Sequence, residues 1–168
     1  MKNKKTIFIT QAAMIAALYV VLTLLANALG LANQAVQVRF SEALTILPFF
    51  TASAIPGLFI GCILSNTLTG CMFLDTVFGS LATLAGAICT YYIGQKVKYP
   101  ASKWLCPLPP IIANMLVVPQ VLMRVYEAPG TIWYFTATVG AGEVISCYVL
   151  GLILFTALAP RKADIFNA

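Results

Sequence analysis

Apolar residues along the chain come in blocks long enough to cross a bilayer, separated by short polar breaks. A spanning helix needs about 20 apolar residues, because each adds ~1.5 Å against a hydrocarbon core of ~30 Å. Residues 7–31 form one such block, interrupted by the polar Thr10, Gln11, Thr23 and Asn27. Residues 76–94 and 136–159 form two more, the second carrying Glu143. Residues 105–123 are as apolar but hold Pro107, Pro109, Pro110 and Pro119, which predicts an irregular first turn and a kink higher up. The stretch 41–73 is too long for one span and short for two. Pro56–Gly57 divides it, predicting a short helix over 41–54 and another over 56–71, with the proline at its first position. The short helix would reach only ~21 Å, so it needs protein on its flanks or a thinned bilayer. The pattern predicts an all-α integral membrane protein, a bundle of six transmembrane helices forming a single transmembrane domain over 1–168.

Charge orients that bundle. Lys2, Lys4 and Lys5 precede the first block, which is too long for a signal peptide and lacks a small-residue cleavage pattern, so it is expected to be a retained helix. Cytoplasmic segments attract Lys and Arg. With both termini cytoplasmic, the inner segments hold Lys2, Lys4, Lys5, Lys96, Lys98, Lys103, Arg161 and Lys162, and the outer ones Arg39 and Arg124. Eight against two is the bias expected of a multi-pass protein of the cell membrane, and it holds only if the 41–73 stretch crosses twice. Composition agrees: 61% hydrophobic, 9% charged and a mean hydropathy of +0.93 leave too little polar surface for a water-soluble domain. The net charge of +5 is explained by topology, without a nucleic-acid partner. Membrane lipid is the implied surround.

Ionisable groups at bilayer depth are costly, roughly 2.5–3.5 kcal/mol each on insertion scales, and usually mark a site. The acids are Glu42, Asp75, Glu127, Glu143 and Asp164. The predicted topology puts the first four in the outer half, with Glu143 about two turns into the last helix. Arg39, Arg124, Asn66 and Gln120 lie at similar height. Asp75, Gly79, Thr83, Gly86 and Thr90 share one helical face, as do Gly140, Glu143, Cys147 and Gly151, while Gly57, Gly61 and Ser65 make a third small stripe. Small stripes are commonly packing surfaces. Asp75 and Glu42 each have a helix-capping alternative, with Ser41 as a rival cap. Glu143 has the alternative of a buried salt bridge to Arg39 or Arg124, and Glu127 reads as a solvated loop residue. The expected arrangement is an acid-lined pocket open to the exterior, suited to a small ligand with hydrogen-bond donors or a cation. Phe40, Phe49, Phe50, Tyr126, Trp133, Tyr134 and Phe135 could stack on a planar ring, or belong to the interfacial aromatic belt.

Several chemistries lack their parts. The chain holds no histidine, no phosphate-binding loop and no nucleophile elbow, which argues against an enzyme and for no catalytic residues. Cys62, Cys71, Cys89, Cys106 and Cys147 form no C-x-x-C pair and read as packing residues, so no metal site and no cofactor is expected. Without an evident inverted repeat, uptake against a gradient needs a partner. Ala12, Ala13, Ala16 and Ala17 make two overlapping small-xxx-small pairs on the inner half of the first helix, a surface for docking another membrane subunit or for packing within the bundle.

Residues 38–62 (VRFSEALTILPFFTASAIPGLFIGC), 74–84 (LDTVFGSLATL) and 142–151 (GEVISCYVLG) resemble the queuosine precursor transporter family, QueT. The resemblance implies an S component of an energy-coupling factor (ECF) transporter. Such a subunit captures a 7-deazaguanine (queuine or its 7-cyano or 7-aminomethyl precursor) from outside, for ATP-driven uptake by a transmembrane coupling subunit and two ATPase subunits. The alanines of the first helix resemble the surface by which S components meet the coupling subunit. On this resemblance Glu143 or Asp75 would hold the ring's N1–H and 2-amino edge or an aminomethyl cation, with Asn66 and Arg39 on the carbonyl or ring nitrogens and Glu42 nearby. The alternatives are an S component for another vitamin-like molecule, or a stand-alone membrane enzyme or channel.

Overall fold

The structure, a computed structural model, describes residues 4–31 and 36–166, apart from the side chains of Ala163 and Asp164. Expectations for Lys2, for the loop over 32–35 and for the Asp164 side chain fall outside the described residues. Among those residues every regular element is helical. Four helical stretches are long and apolar enough to cross a membrane: Lys4–Ala28 (α1), Phe73–Lys96 (α3), Ala101–Arg124 and Ile132–Arg161. Between α1 and α3 lie two shorter apolar helices, Phe40–Phe49 and Ala54–Leu68 (α2). The six blocks of the hydropathy pattern are thus present, with shifted ends.

The shift at the second block has a physical reason. The expected α-helix over 41–54 is a 3-10 helix, Phe40–Phe49, and Ala54 starts the next helix instead of ending this one. Pro48 supplies no N–H, and the Glu42 carbonyl accepts from Thr45 Oγ1 at 2.6 Å, with Cys147 Sγ packed against it at 3.6 Å. Those competitors favour the tighter helix. At ~2.0 Å per residue its ten residues span about 20 Å, nearly the reach of the longer α-helix expected. Residues 41–48 are all buried, so the 3-10 helix runs through the middle of the bundle with protein on every side.

Around it the long helices meet through small residues. A Cβ on Gly57 would touch Ala12 and Ile15, and one on Gly61 would touch Tyr19 and Ala16, so α1 and α2 approach backbone to backbone. Gly86 of α3 sits against Pro110 of α5 (Leu108–Arg124), which follows the short α4 (Ala101–Leu105). Thr90 Oγ1 donates to the Cys106 carbonyl at 2.9 Å between them, satisfying a group freed by the proline-rich entry to α5. The last stretch is α6 (Ile132–Glu143), a π-helical turn (Val144–Leu150), α7 (Gly151–Leu158), a short 3-10 turn and α8 (Lys162–Phe166).

One end of the bundle gathers the basic residues. Gln11 donates to the Ile165 carbonyl and accepts from Ser53, Phe50 stacks on Phe166, Lys162 lies over Phe49, and Lys103 over Phe155. These contacts bring the start of α1, the 50–53 turn, the α3–α4 region and the end of the chain together. Lys4, Lys5, Lys96, Lys98, Lys103, Arg161 and Lys162 belong to these segments, whereas Arg39 and Arg124 lie toward the other end.

Candidate functional site

A cavity of about 420 Å³ opens at the end away from the lysines. Its polar lining includes Arg39 and Gln37 from the segment before the 3-10 helix, Asn66 near the end of α2, Asp75 in the first turn of α3, and Tyr126 after α5. Its size falls in the range of small-molecule sites, ~300–1,000 Å³. A recess of about 20 Å³ adjoins it, lined by Glu143 and Asn114 and sharing Gln37, Arg39 and Val118 with the main cavity. That is room for one water-sized group.

The segment carrying Gln37 and Arg39 is seated on the last stretch of helix. Ser146 Oγ in the π-turn accepts from the Arg39 backbone N–H at 3.2 Å, and Gly142 lies directly beneath the Gln37 backbone, leaving no room for a side chain. Arg39 Nη2 donates to Gln37 Oε1 at 3.4 Å, and both residues line the main cavity and the recess. π-turns in α-helices are frequent at functional positions, and this one follows Glu143.

Asp75 forms the other wall. It does not cap its helix: the N-cap is Met72, without a side-chain cap bond. Instead Asp75 Oδ2 accepts from Tyr126 Oη at 2.8 Å, and Tyr126 Oη accepts from the Met72 N–H at 3.1 Å. Tyr126 thereby ties the loop after α5 to the start of α3 across the cavity mouth. Partial burial, followed by the Asp75 carboxylate, pushes its hydroxyl up to about 12. Glu42 and Ser41 are not caps either. Glu42 Oε1 accepts from Tyr19 Oη at 2.6 Å, and Ser41 Oγ accepts from Thr23 Oγ1 at 2.8 Å.

Glu143 lies deeper than expected. The last helix starts at Ile132, four residues before the predicted 136, which makes Glu143 the twelfth residue of α6, ~18 Å along it. It faces the interior at 8% exposure. Asn114 Nδ2 donates to its Oε1 at 2.9 Å and Cys147 Sγ to its Oε2 at 3.3 Å, so its described partners are an amide and a thiol, and no arginine takes the place of either. Glu42, Glu143 and Cys147 present ligand-type atoms within 4.8 Å of one another. Two ionised carboxylates at that distance repel by about 3 kcal/mol at an effective dielectric near 20.

Of the residues expected at the site, Asp75, Asn66 and Arg39 share the main cavity, Glu143 lines the recess, and Glu42 is buried behind them without lining either. Gln120 is exposed on α5, and Glu127 is exposed in the loop. Phe49 and Phe50 pack with Phe155 at the opposite end, while Trp133 and Tyr134 are exposed, which leaves Tyr126 as the aromatic from the expected set on the cavity. Asn114 and Gln37 escaped notice. An asparagine inside an apolar span was the available signal for the first, and Gln37 carried none. The alanines of α1 divide: Ala16 is buried and Ala12 half-buried against the glycines of α2, leaving Ala13 and Ala17 exposed, so the four do not form one docking face.

A family model described as "QueT transporter" matches residues 9–160. A curated protein of Lactococcus lactis subsp. cremoris (strain MG1363), "Queuosine precursor transporter QueT", is 38% identical over 84 residues, a match that spans 50% of this chain and 49% of that protein. No solved structure matches the chain.

Proposed function

The chain belongs to the QueT transporter family, and from that premise we propose that it is the substrate-capturing membrane subunit of an importer for a 7-deazaguanine precursor of queuosine. The observation that carries this reading is the polar cavity holding Asp75, Asn66 and Arg39, with Glu143 in the adjoining recess, at the end of the bundle away from the lysines. A guanine-like ring offers N1–H and a 2-amino group side by side, which match the two oxygens of one carboxylate. Glu143 takes that edge, Arg39 donates to the ring carbonyl, Asn66 serves a ring nitrogen, and Asp75 at the mouth neutralises an aminomethyl cation. Glu42 sets the charge behind Glu143. The bias of lysines toward the opposite end supports a cytoplasmic location for both termini and an exterior opening for the cavity.

Uptake against a gradient requires energy from outside this chain. We assign that to the coupling subunit and the two ATPases of an ECF module, docked on the exposed side of α1 at Ala13 and Ala17. The test is mass spectrometry of small molecules retained by the purified chain, paired with uptake by proteoliposomes. A 7-deazaguanine should co-purify, and its uptake should require the module and ATP. Retention of an unrelated compound, or flux through the chain alone, would overturn the proposal.

A further inference from the structure

We propose that Glu42 and Glu143 together form a binding site for a single proton, carried by Glu42 in the middle of the bundle. This inference stands apart from the identity of the transported molecule. Its first support is charge. Both carboxylates are buried, at 2% and 8% exposure, and ligand-type atoms of the two lie within 4.8 Å of each other. The facing groups come from every neighbouring element. Tyr19 approaches from α1, Cys62 from α2, Arg39 from the segment before the 3-10 helix and Cys147 from the π-turn, with Asp75 of α3 on the main cavity that Arg39 also lines. Arg39 is the cation of this set, so two ionised carboxylates would leave one negative charge uncompensated in a low-dielectric interior. Buried charges are paired, or are neutralised by a proton.

The second support is an orphaned atom. Glu42 Oε1 accepts from Tyr19, but Glu42 Oε2 is buried without a hydrogen-bond partner. Glu143, by contrast, has both oxygens occupied by donors, Asn114 Nδ2 and Cys147 Sγ. Glu143 is therefore arranged as an ionised acceptor and Glu42 as the member that carries the hydrogen, on Oε2. One proton removes the repulsion within the pair and leaves Glu143 balanced by Arg39. Two carboxyl groups sharing one proton titrate as a unit.

The chain contains five side-chain carboxyls, which makes the site accessible to infrared difference spectroscopy on the purified, ligand-free protein. We expect a protonated-carboxyl carbonyl band equivalent to one group per chain. It should persist at neutral pH after exposed acids have ionised, and shift in deuterated water. Glu42→Gln and Glu143→Gln should each abolish it, because the remaining carboxylate is then balanced by Arg39, whereas Glu127→Gln in the exposed loop should leave it intact. Circular dichroism and gel filtration establish that each variant is folded. Should a pair variant fail to fold, survival of the band in Glu127→Gln, Asp75→Asn and Asp164→Asn assigns it to the pair by elimination, and its loss in any of these would overturn the proposal. Absence of the band at neutral pH, its survival in both pair variants, or stoichiometric sodium or divalent metal found by elemental analysis and lost in Glu42→Gln would overturn the proposal.

Discussion

Gly142→Ala tests the seating of the binding segment. A Cβ at Gly142 would run into the Gln37 backbone, colliding with its carbonyl oxygen and lying 2.9 Å and 3.3 Å from its carbonyl carbon and nitrogen. Backbone cannot swing aside as a side-chain tip does, so the strand of chain carrying Gln37 and Arg39 must lift from α6. Lifting it loosens the Arg39 N–H to Ser146 Oγ bond. Overpacking of this kind costs about 1–3 kcal/mol. Because the displaced groups line both cavities, the same cost is expected in ligand affinity, a loss of about 5- to 150-fold. Gly140→Ala is the internal control. Its Cβ would meet Met115 Sδ and Cε at 3.0 Å, the flexible end of a side chain that can turn away. Equilibrium binding of 7-aminomethyl-7-deazaguanine and thermal unfolding of both variants in detergent provide the comparison. If Gly142→Ala binds and melts like Gly140→Ala, the seating of Gln37 and Arg39 on this helix is not what shapes the site.

Tyr126→Phe removes the tie to Asp75, and a bond of this partly exposed kind contributes about 0.5–1.5 kcal/mol. Ligand dissociation measured by stopped flow should quicken up to about tenfold, and unchanged kinetics would show that the tie does not retain ligand. The same tie predicts a pH window. Folding raises the Tyr126 hydroxyl from 10.0 to about 12, so its contribution is complete below pH 10 and is lost as pH rises through about 12, when phenolate faces carboxylate. A phenolate absorbance titration that finds all seven tyrosines ionising near 10 would contradict this. Ala16→Leu should destabilise the chain by about 1–3 kcal/mol, because it overpacks the contact with Gly61. Ala17→Leu should leave the unfolding temperature nearly unchanged and abolish co-purification with the coupling subunit. Retained assembly in Ala17→Leu would remove α1 from that interface.

The spans were legible in the amino-acid pattern because lipid obliges each crossing segment to satisfy its own backbone and to be apolar along its length. What lies inside the bundle was less so. The 3-10 form of Phe40–Phe49 depends on Thr45 capturing the Glu42 carbonyl with Cys147 Sγ packed against it, and Cys147 is over a hundred residues away. The split of Ala12 and Ala16 from Ala13 and Ala17 was hidden because α1 is apolar all round, so no polar stripe marked which side faces protein. Asp75, Asn66 and Arg39 could be gathered at one end by counting crossings. The depth of Glu143 could not, because Trp133, Tyr134 and Phe135 suit either an interfacial loop or a helix start, and they form the latter. Asn114 became visible once α5 and α6 were placed face to face.

The function proposed above has a carboxylate buried beside Arg39 receive the ligand's donor edge. Its most direct test is isothermal titration of 7-aminomethyl-7-deazaguanine into the purified wild-type chain and into Glu143→Gln. Saturable one-to-one binding to the wild type is expected. In the variant, replacing one carboxylate oxygen by an amide donor sets N–H against N–H and should weaken affinity by at least about tenfold, or 1.4 kcal/mol. Equal affinities in the two proteins would contradict it.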